Sequence, residues 1–565
     1  MSFFPRLLRL ITLGGLAVLA ALLVIRAGSR GFLAFDQSIL FDGGYRTLLG
    51  QVPYRDFYIP TGPVPFWLQA LFFKLFSVSY SSYLFHAAFA NALAAVLAYK
   101  WIRLLYPCSG LYASLAGIIT AFWFYPPFGT PWFEQTAFLC HLIASVLLFK
   151  GFQQHMAVSV SDAKRPSLTW FVAAGFMAGL AFLSKQNVGL LSVFACGSVI
   201  LLASPVAFRV RLRQCLALAA GLMACSLIFG AWLWRFSHPG HFWEFFFVIP
   251  SGEGMRRIAG GWFSDLLLEE FSLAGANRAT LVVSFVVATS ALVVDAGSRW
   301  VKQISYLDPR QLLAATTIVS LFSLQALFIH LTINEPELGF PFCGVILILA
   351  VLLARDLLVP RDLAREGTKK QEVQQQRLFV RTLLSVLALA ASWLLMTQGW
   401  EVAMSRRVHD IFWRSEFREE AVSKALSPVK WAIPTRAARR SQETISVDDV
   451  DNLAVFLAEE QENFFIFPDF TLMYGLTGKV PPQPILWFHR GLTYSSTYSA
   501  TLDHRIVRDL IRNEVEYVVL EKDSFRGTRE RLSHFPVVER YIQSRFQLLR
   551  EIGIFQIHKR IEAGS

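Results

Sequence analysis

Eleven stretches of this chain are apolar over about 17 to 22 residues and are closed at both ends by charge, proline or glycine. They lie at 8–27, 80–99, 108–125, 133–150, 168–184, 188–206, 214–234, 279–296, 311–332, 338–358 and 378–398. A helix needs about 20 such residues to cross the hydrocarbon of a bilayer. The pattern therefore predicts a polytopic α-helical membrane protein of about 11 transmembrane helices. Arg6 and Arg9 precede the first stretch as they would in a secretory signal. No small-x-small cleavage site follows, only Arg26-Ala27-Gly28-Ser29-Arg30, so the stretch is read as a retained span.

The cations set the orientation. With the N-terminus inside, every even connection is basic: Lys100 and Arg103; Lys150, Lys164 and Arg165; Arg209, Arg211 and Arg213; Arg299, Lys302 and Arg310; and the run from Arg355 to Arg377. The net charge of +12 is accounted for by orientation, and no basic block or reading module points to nucleic acid. A further apolar segment, "FWLQALFFKLF" at 66–76, is short and contains Lys74, and is read as a helix on the membrane surface. Counting it as a span would put the basic loops outside. The six cysteines fall in or beside apolar runs without CxxC spacing, which reads as core residues and not as a metal or disulfide framework.

Two domains are expected: a membrane domain over 1–400 with functional outer loops, and an external domain over 401–565. From about 440 the composition becomes that of a soluble α/β domain. "SVDDVDNLAVFLAEEQ" starts a helix with Ser446 as N-cap. "NFFIFPD" and "VEYVVLE" read as buried strands, "TLDHRIVRDLIRNE" as a helix with Ile506, Val507, Leu510 and Ile511 on one face, and "IGIFQIHKR" as a closing strand.

The first outer loop, "FDQSILFDGGYRTLLGQVPYRDFYIPTGPVP", holds Asp36, Asp42 and Asp56. Asp36 falls within about ten residues of the first span, near the bilayer surface. A carboxylate there either caps a loop helix or deprotonates an acceptor hydroxyl. The prolines reverse the chain, the aromatics are expected to seat it among lipid headgroups, and Arg55 with Asp56 reads as a brace, with Arg55 alternatively facing a phosphate.

This loop, with its acid after the first span, its "GYRTLLGQVPYRDF" run and a proline-rich turn into a surface helix, resembles the first periplasmic loop of bacterial GT-C glycosyltransferases. That superfamily includes protein O-mannosyltransferases and the lipid A aminoarabinose transferase. The likeness covers the membrane half and, more loosely, the external domain. It implies a polyprenyl-phosphate-linked sugar donor, an envelope glycan, lipid or protein as acceptor, and the bacterial plasma membrane as location. It also implies Asp36 as base or metal contact, with a divalent ion, Mg or Mn, in the metal-dependent members. Gln37 stands where many relatives carry a second acid. The second acid of such sites comes from the next outer loop, here Glu134 in "FYPPFGTPWFEQTAF", so Asp36 and Glu134 are the expected pair for catalysis and for any metal.

Lys185 lies in "AFLSKQNVGLL", a tight outer turn where a cation calls for an anionic partner. Either a lipid-linked phosphate or headgroups would serve. Arg256 and Arg257 lie in "IPSGEGMRRIAGGWF", read as a Gly-rich outer loop able to wrap a phosphate. His330, Glu335 and Glu337 flank the ninth span. No Walker loop, GxSxG, HExxH or Rossmann fingerprint occurs in a usable context. A flippase would show internal symmetry and broken spans, whereas here the polar residues collect at the outer span ends. A non-catalytic envelope scaffold remains the third reading.

Overall fold

The computed structural model describes residues 3–29, 34–107, 109–157, 167–259, 276–302, 305–332, 340–358, 370–405, 417–434, 446–494, 500–522 and 527–562. Each expected span falls on a helix. They are α1 (Phe3–Gly28), α4 (Tyr80–Leu105), α5 (Gly110–Trp123), α6 (Phe133–Ala157), α7 (Thr169–Phe182), α8 (Gln186–Ala203), α9 (Phe208–Phe236), α12 (Ala276–Lys302), α13 (Pro309–Thr332), α14 (Cys343–Leu358) and α15 (Lys370–Ser405). Among the described residues, 8 helices are long and apolar enough to cross a membrane. The remaining three, α5, α7 and α14, have 14, 14 and 16 residues.

Two further helices precede α4: α2 (Ala34–Leu48) and α3 (Val64–Phe76). α3 has 13 residues, about 20 Å, too short to span. It packs beneath α2, whose Gly43 faces the Phe66 ring and whose Gly44 faces Gln69. It buries one face through Phe66, Gln69 and Phe73 and leaves Leu71, Leu75 and Phe76 exposed on the other.

Helix contact in a bilayer depends on close approach at small residues, because lipid tails are as apolar as the side chains. α7 and α9 show it reciprocally. A methyl on Gly175 would lie 1.9 Å from the Leu218 carbonyl oxygen, and one on Gly221 would lie 1.8 Å from that of Val172. Gly221→Val is accordingly expected to separate the two helices, at a cost at or above the ~1–3 kcal/mol of ordinary overpacking. A fall in melting temperature of the detergent-solubilised protein checks this. An unchanged melting temperature would mean that the two helices are not in this contact.

At the basic end of the bundle, the Arg310 and Arg355 guanidiniums lie 5.9 and 5.8 Å from the Tyr106 ring, which draws the ends of α4, α13 and α14 together. This gathering of cations at one end is what the loop charges anticipated.

The C-terminal domain carries a β1–β2 hairpin (Phe417–Val422, Lys430–Pro434) and a four-stranded sheet. The sheet runs β3 (Asn463–Phe467), β4 (Val515–Glu521), β6 (Phe555–Arg560), β5 (Phe546–Ile552), with β3 and β4 parallel and the other pairings antiparallel. Ser446 caps α16 (Val447–Glu459) in a capping box with Asp449. The crossover helix α17 (Ala500–Arg512) buries Leu502, Ile506 and Leu510, but Ile511, expected on that face, is exposed. One continuous apolar core joins this domain to the loop between α1 and α4 and to α9.

Candidate active site at the outer ends of the helices

The 50–63 loop is not seated among lipid headgroups. Tyr54, Phe57, Tyr58 and Ile59 are buried within protein, beneath the C-terminal domain. Spaced as they are, these aromatics resembled interfacial anchors, but the elements that cover them come from hundreds of residues downstream. The Tyr58 N–H donates to the Pro484 carbonyl at 2.6 Å. The Arg505 guanidinium lies over the Tyr58 ring, donates to its hydroxyl, and reaches the Arg55 carbonyl at 3.1 Å. On its other side Tyr58 stacks on Phe245 at 4.1 Å, in a π-helical turn (Trp243–Val248) between α10 (Pro239–Phe242) and α11 (Ile249–Ala259). Such turns are rare and recur at functional sites.

Arg55 and Asp56 form the expected brace, with Nη2–Oδ2 at 2.7 Å and Nε–Oδ1 at 3.0 Å, and Arg55 also donates to the Phe236 carbonyl at 3.2 Å. Burial pushes the Asp56 carboxyl up, but the bonds from Arg55 and the Val52 N–H outweigh it and leave the group below its ordinary value.

Beneath this cover lies the pair that best defines a site. Glu134, in the first turn of α6, is 1% exposed, and its carboxylate holds the Lys185 ammonium at 2.9 Å. A carboxylate is favourable at a helix N-terminus, and burying it without a cation would be expensive. Lys185 is the extended N-cap residue of α8, and its side chain remains 23% exposed. The anion that this lysine called for is thus Glu134, 51 positions earlier, at least in part.

Beside it, Gln186 donates both amide hydrogens, to the Pro60 carbonyl at 2.7 Å and to the Phe246 carbonyl at 2.8 Å. It ties the α8 N-terminus to the first loop and to the π-helical turn. Gly62 sits so close to the α7–α8 turn that a methyl there would lie 1.7 Å from the Leu183 carbonyl oxygen, so only glycine fits. Sequence reasoning missed Gln186 and Gly62 as site-builders. The only signal was Gly62 between two prolines.

Asp36 lies in the first turn of α2, but its side chain is outside the described residues. The neighbouring turns show which wall it belongs to. Tyr80 donates to Gln37 Oε1 at 3.2 Å, Tyr83 packs on Phe41, and the Tyr83 hydroxyl donates to the Pro131 carbonyl, three residues before Glu134. Tyr83 therefore touches both α2 and the chain just before α6. Arg256 and Arg257 fall in α11, a helix where a Gly-rich loop was expected, and their side chains lie outside the described residues, as do those of His330, Glu335 and Glu337.

Asp42 is not a free loop acid. It is fully buried one turn from Arg46, with Nε–Oδ2 at 2.9 Å, and Arg46 donates on to the Gln483 carbonyl at 2.7 Å, bolting α2 to the C-terminal domain. Burial pushes the Asp42 carboxyl up to about 6, against the opposing pull of Arg46. A carboxyl raised in the folded state binds its proton more tightly there than when unfolded. Its contribution is complete below about pH 4 and is lost as pH rises through about 6, by at most about 3 kcal/mol. Relative to Asp42→Asn, the wild type is expected to lose thermal stability between pH 4 and 6. A melting-temperature difference that stays constant across that window would contradict the burial of an ionisable Asp42.

Among the described residues no group of three or more His, Cys, Asp or Glu side chains could hold a metal ion. The one described carboxylate of the expected metal pair, Glu134, is already engaged by an ammonium, which would repel a divalent ion placed beside it. No step below uses a metal.

Residues 60–234 match the family described as dolichyl-phosphate-mannose-protein mannosyltransferase. ArnT from Cupriavidus metallidurans, solved bound to undecaprenyl phosphate, superposes with a TM-score of 0.52 at 11% identity over 98% of this chain and 98% of that one. Its apo form gives 0.53 at 13% identity over 99% and 98%. No curated protein matches the chain in sequence. Residues 60–234 are thus similar to that family, and the fold along nearly the whole chain is ArnT-like. The chain is a multi-pass membrane protein of ArnT-like architecture with a C-terminal α/β domain.

Proposed function

We propose that this protein is an inverting membrane glycosyltransferase that moves a sugar from a polyprenyl-phosphate carrier to an acceptor on the outer face of a bacterial plasma membrane. The observation that carries the reading is the buried Glu134–Lys185 pair at the outer helix ends, roofed by the first loop, within an ArnT-like fold. An acceptor hydroxyl oxygen attacks the anomeric carbon and loses its proton to Asp36. The bond from that carbon to the carrier phosphate oxygen breaks, and the phosphate leaves with the electron pair. A phosphate leaving group calls for cations, not for a strong general acid. Lys185 has three N–H donors, of which Glu134 takes one and orients the rest. Arg256, Arg257 and Arg55 complete the proposed phosphate contacts, and the envelope glycan, lipid or protein acceptor is drawn from the aqueous side.

The test is release of polyprenyl phosphate. Purified protein in lipid nanodiscs is incubated with a panel of polyprenyl-phosphate hexoses and pentoses and an envelope extract, and the freed carrier is measured by mass spectrometry. Release with at least one donor that depends on added extract is expected. No release with any of them would count against the reading.

A further inference from the structure

A second polar site lies inside the bundle, away from the outer face. Between α4, α6, α8 and α13 is a small cavity of about 20 Å³ whose lining includes Trp101, His141, Ser145, Cys196, Thr317 and Ser320. It sits toward the basic end, since Trp101 is one turn from the end of α4 where Lys100 and Arg103 lie. Three of its polar atoms are buried and have no hydrogen-bond partner in the protein: Trp101 Nε1, His141 Nδ1 and Thr317 Oγ1. His141 Nε2 has only a long 3.4 Å contact with Ser145 Oγ.

One orphaned polar atom in a membrane interior is costly, and three around one cavity call for a common partner. The partner must accept from the indole N–H, which only donates, and must also satisfy an imidazole nitrogen and a hydroxyl. It must be small, because the cavity has room for little more than one water-sized molecule. Water meets every requirement, and a cavity of about 20 Å³ exceeds the roughly 10–15 Å³ that one water needs.

We propose that this cavity is an intramembrane hydration site in which an ordered water links Trp101, His141 and Thr317. His141 lies seven residues below Glu134 on the same face of α6, about 10 Å along the axis. Phe138 stands between them and is closed in by Phe328 and Phe342. The hydrated chamber is therefore separate from the outer site, and its role is to satisfy the polar groups that hold four helices together.

The test uses the full-length protein in bilayers, labelled with ¹⁵N at Trp and His. Magnetisation is transferred from water protons to nitrogen in solid-state NMR. Trp101→Phe and His141→Phe difference spectra pick these signals out from the 15 Trp and 11 His of the chain. Transfer from water to both Trp101 Nε1 and His141 is expected. Transfer to neither, or from lipid acyl protons instead, overturns the proposal. A second variant, Thr317→Val, separates wet from dry. Removing a hydroxyl from a dry cavity raises the melting temperature, whereas removing a water ligand lowers it by several degrees. A rise overturns the proposal.

Discussion

Asp36→Asn is expected to lower transfer by roughly 10²–10⁴-fold while leaving the protein folded. The amide keeps the shape of the carboxylate and its ability to sit in the first turn of α2. It cannot take the proton of the attacking hydroxyl, so only positioning and phosphate stabilisation remain. The proper control is Asp42→Asn, six residues on. Asp42 is committed to Arg46 and to the docking of the C-terminal domain, so its loss should act through stability and not through the chemical step. The measurement is single-turnover release of polyprenyl phosphate from protein of matched melting temperature. A well-folded Asp36→Asn variant that turns over at the wild-type rate would falsify the assignment of the base.

The Glu134–Lys185 pair should give an equally large effect, of two separable kinds. Lys185→Ala leaves a carboxylate that is 1% exposed without its cation, and stranding a buried charge costs about 3–5 kcal/mol. The same substitution removes a charge-assisted bond to the carrier phosphate, a further loss of about 1.5–3 kcal/mol in binding. Because a lost contact could act through either route, the double variant Lys185→Met with Glu134→Gln decides between them. Removing both charges should restore much of the melting temperature, but carrier binding and transfer should stay low. If transfer returned together with stability, the pair would be a structural bolt and the phosphate would lie elsewhere, with Arg55 the next candidate.

Much of the membrane architecture was legible because apolar runs of spanning length and basic even loops report directly on a bilayer. The N-cap at Ser446 and the strands 463–467 and 515–521 were legible for the same reason, that their signals are local. What was not legible depends on chain segments that meet only in space. Tyr54, Phe57 and Tyr58 read as interfacial anchors because nothing nearby in sequence announces Arg505 or Pro484 above them. Lys185 reads as a cation that calls for an anion, and Glu134 as an acid at the mouth of a span, yet only the fold brings them to 2.9 Å. The glycines of "SGEGMRRIAGG" suggested a loop, whereas residues Ile249–Ala259 are helical. Tertiary context outweighs a few tenths to one kcal/mol of propensity per glycine. The edge strand Phe546–Ile552 alternates poorly because only its two end residues are buried.

The most direct measurement is a density map of the protein in nanodiscs with undecaprenyl phosphate added. The account predicts phosphate density within hydrogen-bonding distance of Lys185 Nζ, beneath the 50–63 loop and with Glu134 still paired. A phosphate resolved at the basic end of the bundle, or one bound at the outer end without contact to Lys185, would contradict it.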